Sequence, residues 1–297
     1  MSIDDQFWSL GSAAPRYVVA FDHRGSLERS LAQLDAPGDA GSMARLKLLI
    51  WEGIERVLPR FNDRGDTGIL IDRGHSHIVA RARAARVAVA VAIEASGQAT
   101  LRPDAEPSVL HDELRGSGAR FGKVLIRWSA DAPAETHRQQ IDVLRTLDEV
   151  VAGAGASLLL ELLVPPTPGD RDTGAGADPR VQLEAVRAIL ESGITPEVWK
   201  IEGHADAEAA ATLAGMVGAA RNDASLLLLG GGESISELGR MFSCRAASER
   251  FRGFAVGRSI WWGPVAALVR GDATADETRR AVGDNYLAVV DAFESGA

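Results

Sequence analysis

Eight short runs of apolar, β-favouring residues recur along this chain, and longer segments of helical periodicity separate them. Runs that are apolar at nearly every position are typical of strands in a parallel sheet that helices cover. Eight such runs in 297 residues predict a single (β/α)8 barrel, also called a TIM barrel, with a doubly wound open sheet as the alternative. The predicted strands span residues 17–21, 68–72, 87–94, 123–128, 157–164, 198–202, 225–231 and 253–257.

The segments between the strands supply the predicted helices and loops. Apolar residues recur at three- and four-residue steps over 42–61, 138–155 and 180–194, which predicts amphipathic helices. We predict an irregular insertion with one short helix over 95–121 and a closing helix over 274–294. Residues 165–180 are rich in Pro and Gly and follow the fifth strand, where a barrel carries functional loops. No linker-like segment divides the chain, so one domain is expected over residues 1–297.

The charge of the chain limits the classes of partner. A formal net charge of −9 disfavours binding to nucleic acid and to anionic membranes, but it permits a small anionic ligand. The single cysteine, Cys244, cannot form an intrachain disulfide, and no apolar run reaches the length of a transmembrane helix. The first residues lack the apolar core of a signal peptide. A cytoplasmic protein with a small-molecule substrate is therefore expected, and a homo-oligomer remains open.

Lysine is rare in this sequence. Of the 32 basic residues, only Lys47, Lys123 and Lys200 are lysines. Lys200 lies in VWKIEG, between a tryptophan and an isoleucine of a predicted buried strand. Because side chains alternate inward and outward along barrel strands, an inward Lys200 places Trp199 and Ile201 against the outer helices. Burying an ammonium group is costly, so a lysine at this position indicates a chemical role.

Other ionisable residues are predicted near the carboxyl ends of strands, where barrel enzymes place their catalytic groups. Glu161 is the polar interior residue of the fifth strand, and Asp22 ends the first strand. Lys123 and Arg127 share one face of the fourth strand. Each has a structural alternative: a Lys123–Glu161 bridge, an N-cap at Asp22, and a rim ion pair for Arg127.

Two lysines that flank one carboxylate suggest imine chemistry. Alternate strands of a barrel share interior layers, so Lys123 and Lys200 are predicted to lie close together. Desolvation and a second ammonium group both favour a neutral amine, which can attack a carbonyl carbon. We therefore expect Lys200 to form a Schiff base, Lys123 to assist through its charge, and Glu161 to move protons.

Two glycine-containing loops predict a phosphate site. LLLLGGGES, after the seventh strand, offers the backbone N–H groups of Gly231 and Gly232. GFAVGRSIWWGP, after the eighth strand, places Gly257, Arg258 and Ser259 at a predicted helix start. Loops after strands seven and eight, together with a helix N-terminus, form the recurrent phosphate site of this fold. A plain turn at each loop is the alternative.

Two other functions remain open from the sequence. His75 and His77, with Asp72 close by, follow the second strand and would suit a metal-dependent aldolase or isomerase, but no third ligand is evident. A barrel that binds a sugar phosphate without catalysis is the second alternative, because fold alone does not define activity.

Five motifs in this order resemble the LacD-like class I aldolases: FDHRGS, FGKVLIRW, LLLELLVPPT, VWKIEG and GFAVGRSIWW. Within that family, the chain looks most like the aldolase-type domain that is often fused to the sugar kinase of myo-inositol catabolism. The resemblance covers residues 15–294. It implies a barrel lyase that cleaves a phosphorylated keto-sugar or keto-sugar acid, such as 2-deoxy-5-keto-gluconate 6-phosphate, to dihydroxyacetone phosphate and an aldehyde.

The resemblance also implies roles for individual residues. Lys200 matches the imine-forming lysine, Lys123 and Glu161 match the accompanying lysine and acid/base carboxylate, and Asp22 matches the acid after the first strand. Gly257 and Arg258 match the phosphate loop. No metal and no cofactor is expected, and this chain would act as the aldolase-like unit without a kinase domain.

Overall fold

The structure is a computed structural model that describes residues 14–34, 40–61, 64–165, 178–204 and 206–296, with side chains from residue 43 onward in the second stretch. Its eight parallel strands close into a barrel in the order β1 to β8. The barrel confirms the predicted fold, and the open-sheet alternative is wrong. The strands are β1 (Arg16–Ala20), β2 (Asp66–Asp72), β3 (Ala88–Ala92), β4 (Phe121–Arg127), β5 (Ser157–Leu163), β6 (Val198–Ile201), β7 (Ser225–Leu229) and β8 (Phe251–Val256).

Ten helices of the described residues surround the strands or join them. They are α1 (Gly25–Ala32), α2 (Ala40–Val57), α3 (Ser76–Ala84), α4 (Pro107–Ser117), α5 (Ala134–Gly153), α6 (Pro179–Glu191), α7 (Ala207–Ala220), α8 (Ile235–Met241), α9 (Arg258–Arg270) and α10 (Ala275–Ser295). None of them combines the length and the apolar character that a membrane span needs. The predicted loop at 165–180 lies, over residues 166–177, outside the described residues.

Local sequence signals explain where several helices begin. Asp206 accepts hydrogen bonds from the N–H groups of Glu208 and Ala209 and so caps α7. Thr274 and Glu277 form a reciprocal capping box at the start of α10. These caps satisfy N–H groups that have no partner within the helix, and they fix the points at which the chain turns from loop to helix.

Alternation along the strands divides apolar side chains between two layers. One layer fills the barrel interior and includes Val18, Leu70, Phe121, Leu159, Val198 and Leu227. The other faces the helices; there Trp199 and Ile201 are each 1% exposed. The parity predicted for VWKIEG is therefore correct, since Lys200 points into the barrel between these two outward side chains. The interior apolar layer forms a floor beneath the carboxyl ends of the strands.

The segment after β3 is held against the barrel by several contacts. Glu94 and Pro103 form an isolated antiparallel bridge that closes the loop between them. Asp104 binds the guanidinium groups of Arg24 at 2.9 Å and Arg73 at 3.1 Å. The insertion predicted for 95–121 is thus a fixed wall above β3, and α4 forms its predicted short helix.

Candidate active site

Lys123 is the centre of a buried ion-pair cluster inside the barrel. Its ammonium nitrogen lies 2.8 Å from Asp22 Oδ2, 2.8 Å from Glu94 Oε1 and 2.9 Å from Glu161 Oε2. Its side chain is only 2% exposed. An ammonium group has three N–H donors, and each of the three faces one carboxylate. Lys123 is therefore saturated with acceptors, and the predicted Lys123–Glu161 bridge is one part of a larger cluster.

Glu161 joins the two interior lysines. It lies opposite Lys200 in the β5–β6 ladder, and its Oε1 is 2.8 Å from the Lys200 ammonium nitrogen. Its Oε2 contacts Lys123, so one carboxylate bridges lysines from two alternate strands. The side chain of Lys200 is 7% exposed and reaches the cavity above the apolar floor. This placement suits an amine that must meet a substrate while its methylene stem stays buried.

Asp22 belongs to this cluster and does not cap a helix. The residue at the start of α1 is Arg24, which makes no side-chain capping bond, so the N-cap alternative is wrong. Burial opposes ionisation of Asp22, but the charges of Lys123 and Lys200 hold its pKa well below the usual range. Asp22 is therefore a fixed negative charge and a weak base.

The cluster sets the protonation of its other members. Burial works against the Lys123 ammonium, but Asp22, Glu161 and Glu94 together raise its pKa well above the ordinary value. Burial also works against ionised Glu161, and here Lys123 and Lys200 lower the pKa. In Glu94 burial prevails over the attraction of Lys123 and raises the pKa. Lys123 is thus a permanent cation, and Glu94 is the carboxyl that holds a proton most readily.

A cavity of about 260 Å³ opens above the cluster. Lys200, Lys123, Glu161 and Asp22 line it at the bottom, and the turn that follows Glu94 forms one wall. The cavity is of a size that suits a small, polar substrate. The structure therefore brings together all four residues that were predicted to be catalytic.

Arg127 and Arg258 lie on opposite sides of the cavity, since β4 and β8 are diametrically opposed in an eight-stranded barrel. The guanidinium group of Arg127 makes no ion pair or side-chain hydrogen bond within the described part of the chain, so no rim ion pair of that kind is found there. The Arg258 guanidinium donates to the Gly231 carbonyl at 2.7 Å. Two cationic groups on opposite walls favour a substrate with negative charge.

In the glycine loop after β7, the backbone N–H groups already bind the carboxylate of a nearby residue, Glu233. Glu233 Oε2 accepts hydrogen bonds from the N–H groups of Gly231 at 2.6 Å and Gly232 at 3.0 Å. These are the N–H groups that were predicted from the sequence to bind a phosphate. A phosphoryl group can use them only after the Glu233 carboxylate moves away.

Other residues of the predicted phosphate site differ in their placement. Gly257 lines the cavity at the start of α9, and a Cβ there would lie 2.3 Å from the Ala20 carbonyl oxygen, so glycine is required. Gly231 and Arg258 also line the cavity, but Gly232 and Ser259 are absent from its described lining. The Ser259 hydroxyl is buried without a hydrogen-bond partner in the described residues.

Three ionisable residues that line the cavity were not predicted from the sequence: Glu94, His23 and Arg24. Glu94 is the first charged residue after the apolar run of the third strand, which is the position that Asp22 has after the first strand. That positional parallel was the available signal. Burial lowers the pKa of His23 to about 4, so this imidazole is neutral at physiological pH. Arg24 is held by Asp104 and by the Glu94 carbonyl oxygen at 2.6 Å.

The histidines after β2 do not form the metal site that the sequence left open as an alternative. Asp72 is ion-paired with Lys47, and His75 Nε2 lies 3.3 Å from Asp72 Oδ1. The rings of His75 and His77 are 6.3 Å apart. Throughout the described ranges, no group of three or more His, Cys, Asp or Glu side chains is arranged to hold a metal ion. His75 instead supports the buried Lys47–Asp72 pair.

Comparison with known proteins gives one family and one fold. The sequence profile of the family described as "Uncharacterized protein conserved in bacteria (DUF2090)" matches residues 12–296. No curated protein sequence matches the chain. A solved structure of fructose-bisphosphate aldolase from Plasmodium falciparum, in complex with TRAP and a small-molecule inhibitor, is similar with a TM-score of 0.69 and 11% sequence identity. That similarity covers 96% of this chain and 91% of the aldolase chain.

The two results differ in what they establish. At 11% identity, the similarity to the aldolase establishes a shared barrel fold and leaves the reaction open. Neither result establishes membership of the LacD-like family that the sequence motifs resemble, so that relationship stays a prediction. The profile match spans nearly the whole sequence, and the chain therefore belongs to the DUF2090 family.

Proposed function

We propose that this protein is a class I aldolase, a carbon–carbon lyase that works through an imine on Lys200. The observation that carries the proposal is the position of the Lys200 amine. It lies at the base of a cavity, 2.8 Å from a carboxylate that a second, permanently charged lysine holds in place. A lysine that served only in a structural ion pair would not need access to a substrate-sized space, whereas an imine-forming lysine does.

The proposed reaction conserves every atom and charge. The neutral Lys200 amine adds to the substrate ketone, and the carbinolamine loses its hydroxyl as water to give a protonated imine. Removal of the proton from the β-hydroxyl lets the O–H electrons form the aldehyde carbonyl, and the bond between the α and β carbons breaks. Its electron pair neutralises the imine as an enamine. Protonation of the α carbon and addition of one water release the ketone product and restore the amine.

Glu161 and Lys123 have distinct parts in this scheme. Glu161 is within hydrogen-bonding distance of Lys200, so it carries protons between the amine and the carbinolamine oxygen. Lys123 fixes the orientation of Glu161 and remains an ammonium group, because three carboxylates raise its pKa. Asp22 completes the shell around Lys123.

The substrate class follows from the charges around the cavity. Arg127 and Arg258 on opposite walls, together with the glycine loops, favour a phosphorylated keto-sugar or keto-sugar acid. Cleavage would give dihydroxyacetone phosphate and an aldehyde. The sequence resemblance extends this proposal to 2-deoxy-5-keto-gluconate 6-phosphate, to inositol catabolism and to a cytoplasmic enzyme.

Borohydride trapping tests the proposal. Incubation with dihydroxyacetone phosphate and sodium borohydride should reduce the imine to a stable amine, and peptide mass spectrometry should locate the added mass on Lys200. Lys200→Arg is the matched control, because it keeps a cation next to Glu161 but cannot form the imine. An adduct on Lys47, or no adduct on the wild-type protein, would disprove the mechanism.

A further inference from the structure

Four ionisable residues, on or just after four consecutive strands, form a row of alternating charge. Glu94 follows β3, Lys123 lies on β4, Glu161 on β5 and Lys200 on β6. Neighbours in this row are joined at 2.8, 2.9 and 2.8 Å. Both oxygens of Glu161 are therefore engaged, one by each lysine. This row matters because aldol cleavage, on which this inference rests, needs a base for the β-hydroxyl as well as an imine-forming amine.

Asp22 and Glu161 are poorly suited to take that hydroxyl proton. Each is held as an anion by the lysines against the effect of burial, and the pKa of each lies below its ordinary value. A carboxylate that is stabilised in this way can exchange a proton with the acidic, protonated nitrogen of Lys200, but it is a weak base toward a hydroxyl group. Lys123, which stays an ammonium group, also occupies one oxygen of each carboxylate, and the Lys200 nitrogen occupies the second oxygen of Glu161.

Glu94 differs from both in its free oxygen. Its Oε1 contacts Lys123, but its Oε2 has no hydrogen-bond partner within the described part of the chain. The side chain is 9% exposed and lines the cavity. A buried carboxylate oxygen without a donor is destabilising, and a hydroxyl group or a bound proton would relieve this. Among the residues that the structure describes, the site therefore contains an acceptor without a donor.

The surroundings of Glu94 also favour reversible proton transfer. The charged groups that face it are Lys123 from β4, and Asp22 and Arg24 from the segment after β1. Burial and the Asp22 charge raise its pKa, and Lys123 opposes them. Arg24 binds the Glu94 carbonyl oxygen and fixes the backbone at this position.

We propose that Glu94 is the general base that accepts the β-hydroxyl proton when the carbon–carbon bond breaks. The hydroxyl proton moves to a Glu94 oxygen, the O–H electrons become the aldehyde carbonyl, and the electrons of the broken bond pass to the imine on Lys200. In the synthetic direction, Glu94 returns this proton to the alkoxide that forms. Glu94 is then a catalytic residue in addition to the four that the sequence predicts.

The variant Glu94→Gln separates the two halves of the reaction. Imine formation and exchange of the α-carbon hydrogen of dihydroxyacetone phosphate with deuterated water need no β-hydroxyl base. The rates of both should stay within about threefold of the wild-type rates. The rate of cleavage should fall by about 10²–10⁴-fold. The cleavage substrate is whichever of fructose 1,6-bisphosphate, tagatose 1,6-bisphosphate and 2-deoxy-5-keto-gluconate 6-phosphate the wild type cleaves. The acidic limb of the kcat–pH profile should disappear as well. Unchanged cleavage with an intact acidic limb would overturn the assignment.

Glu202→Gln is the matched control. Burial raises the pKa of Glu202 to about 7, and its carboxylate accepts a hydrogen bond from the Val164 N–H at 3.1 Å, outside the described lining of the cavity. This variant should retain both cleavage and the acidic limb. Loss of the limb in Glu202→Gln but not in Glu94→Gln would also overturn the assignment.

Two further measurements keep the result unambiguous. If Glu94→Gln does not fold, Glu94→Asp replaces it, because this variant keeps a carboxylate but withdraws it by one methylene. It should cleave the substrate more slowly and keep the acidic limb of the kcat–pH profile. Cleavage by Glu94→Asp at the wild-type rate would contradict the proposal. Absence of a trapped adduct on the wild-type protein disproves the aldolase function, and the role of Glu94 with it. A wild-type adduct with no effect of Glu94→Gln disproves only the role of Glu94.

Discussion

At the scale of single residues, Lys123 has more influence on this site than its sequence position suggests. It neutralises three buried carboxylates from three different segments of the chain. Replacement by Met keeps the length of the side chain but leaves Asp22, Glu94 and Glu161 facing one another. Loss of one partner from a buried ionic cluster costs about 3–5 kcal/mol, because the remaining charges stay desolvated. We expect Lys123→Met to lower the free energy of unfolding by this amount near neutral pH, as measured by urea denaturation.

The pH dependence of this loss identifies its cause. In the wild type, the pKa values of Asp22 and Glu161 are depressed, so their stabilising contribution is present above their ordinary values of 3.8 and 4.5 and is lost as the pH falls through the native values. Without Lys123, burial raises the carboxyl pKa values, and the folded state binds more protons than the unfolded state. The difference in the free energy of unfolding between wild type and variant should therefore become smaller as the pH falls from about 8 to about 5. Lys47→Met is the control, because it leaves one buried carboxylate without its partner rather than three, and it should lower the free energy of unfolding by less. If the two variants lost the same free energy of unfolding at every pH, this reasoning would be contradicted.

At the scale of elements, the loop between β7 and α8 is occupied by its own carboxylate. Glu233 takes the N–H groups of Gly231 and Gly232, so an incoming phosphoryl group must displace it. Glu233→Ala should therefore bind inorganic phosphate more tightly, by about tenfold if the displaced contacts are worth about 1.4 kcal/mol. Isothermal titration calorimetry measures this directly and does not depend on catalysis.

A neighbouring glutamate separates the effect of this contact from the effect of net charge. Glu237 lies four residues further on and bonds to Ser234 rather than to the glycine loop. Glu237→Ala removes the same charge, and we expect phosphate affinity close to that of the wild type. Equal tightening in both variants would show that general electrostatics, rather than the Glu233 contact, limits binding.

At the scale of the whole molecule, the sequence predicts periodic features well and contacts that depend on barrel closure poorly. The eight strands follow from runs that are apolar at nearly every position, and the inward direction of Lys200 follows from the alternation of side chains along one strand. Both signals are contained within a single segment. The contact between Lys123 and Asp22 joins residues that lie 101 positions apart, and Glu94 reaches Lys123 only because β3 and β4 are neighbours. The bonds of Glu233 to its own loop depend on the orientation of its side chain, which periodicity does not specify. For the same reason the phosphate donors were predicted as free.

Closure of the molecule also depends on how its last helix meets its second one. α10 packs on α2 at a point where Gly283 faces Gly53, and a Cβ on Gly283 would lie 2.8 Å from the Gly53 carbonyl oxygen and 2.8 Å from Val57 Cγ1. Close backbone approach lets Tyr286, on the same helix, reach the Tyr17 carbonyl of β1 with a 2.9 Å hydrogen bond. A methyl group at Gly283 would push the helices apart and weaken this bond.

We therefore expect Gly283→Ala to destabilise the protein by about 1–3 kcal/mol, even though alanine favours helix formation. Gly215→Ala is the matched control, because Gly215 is an exposed position within α7 where an added Cβ meets nothing within 4 Å. That variant should be more stable than the wild type by about 0.5–1 kcal/mol, through helix propensity alone. Urea unfolding of both variants measures the difference in sign. If both substitutions stabilised the protein, α10 would not be docked closely on α2, and the contact of Tyr286 with β1 would not depend on Gly283.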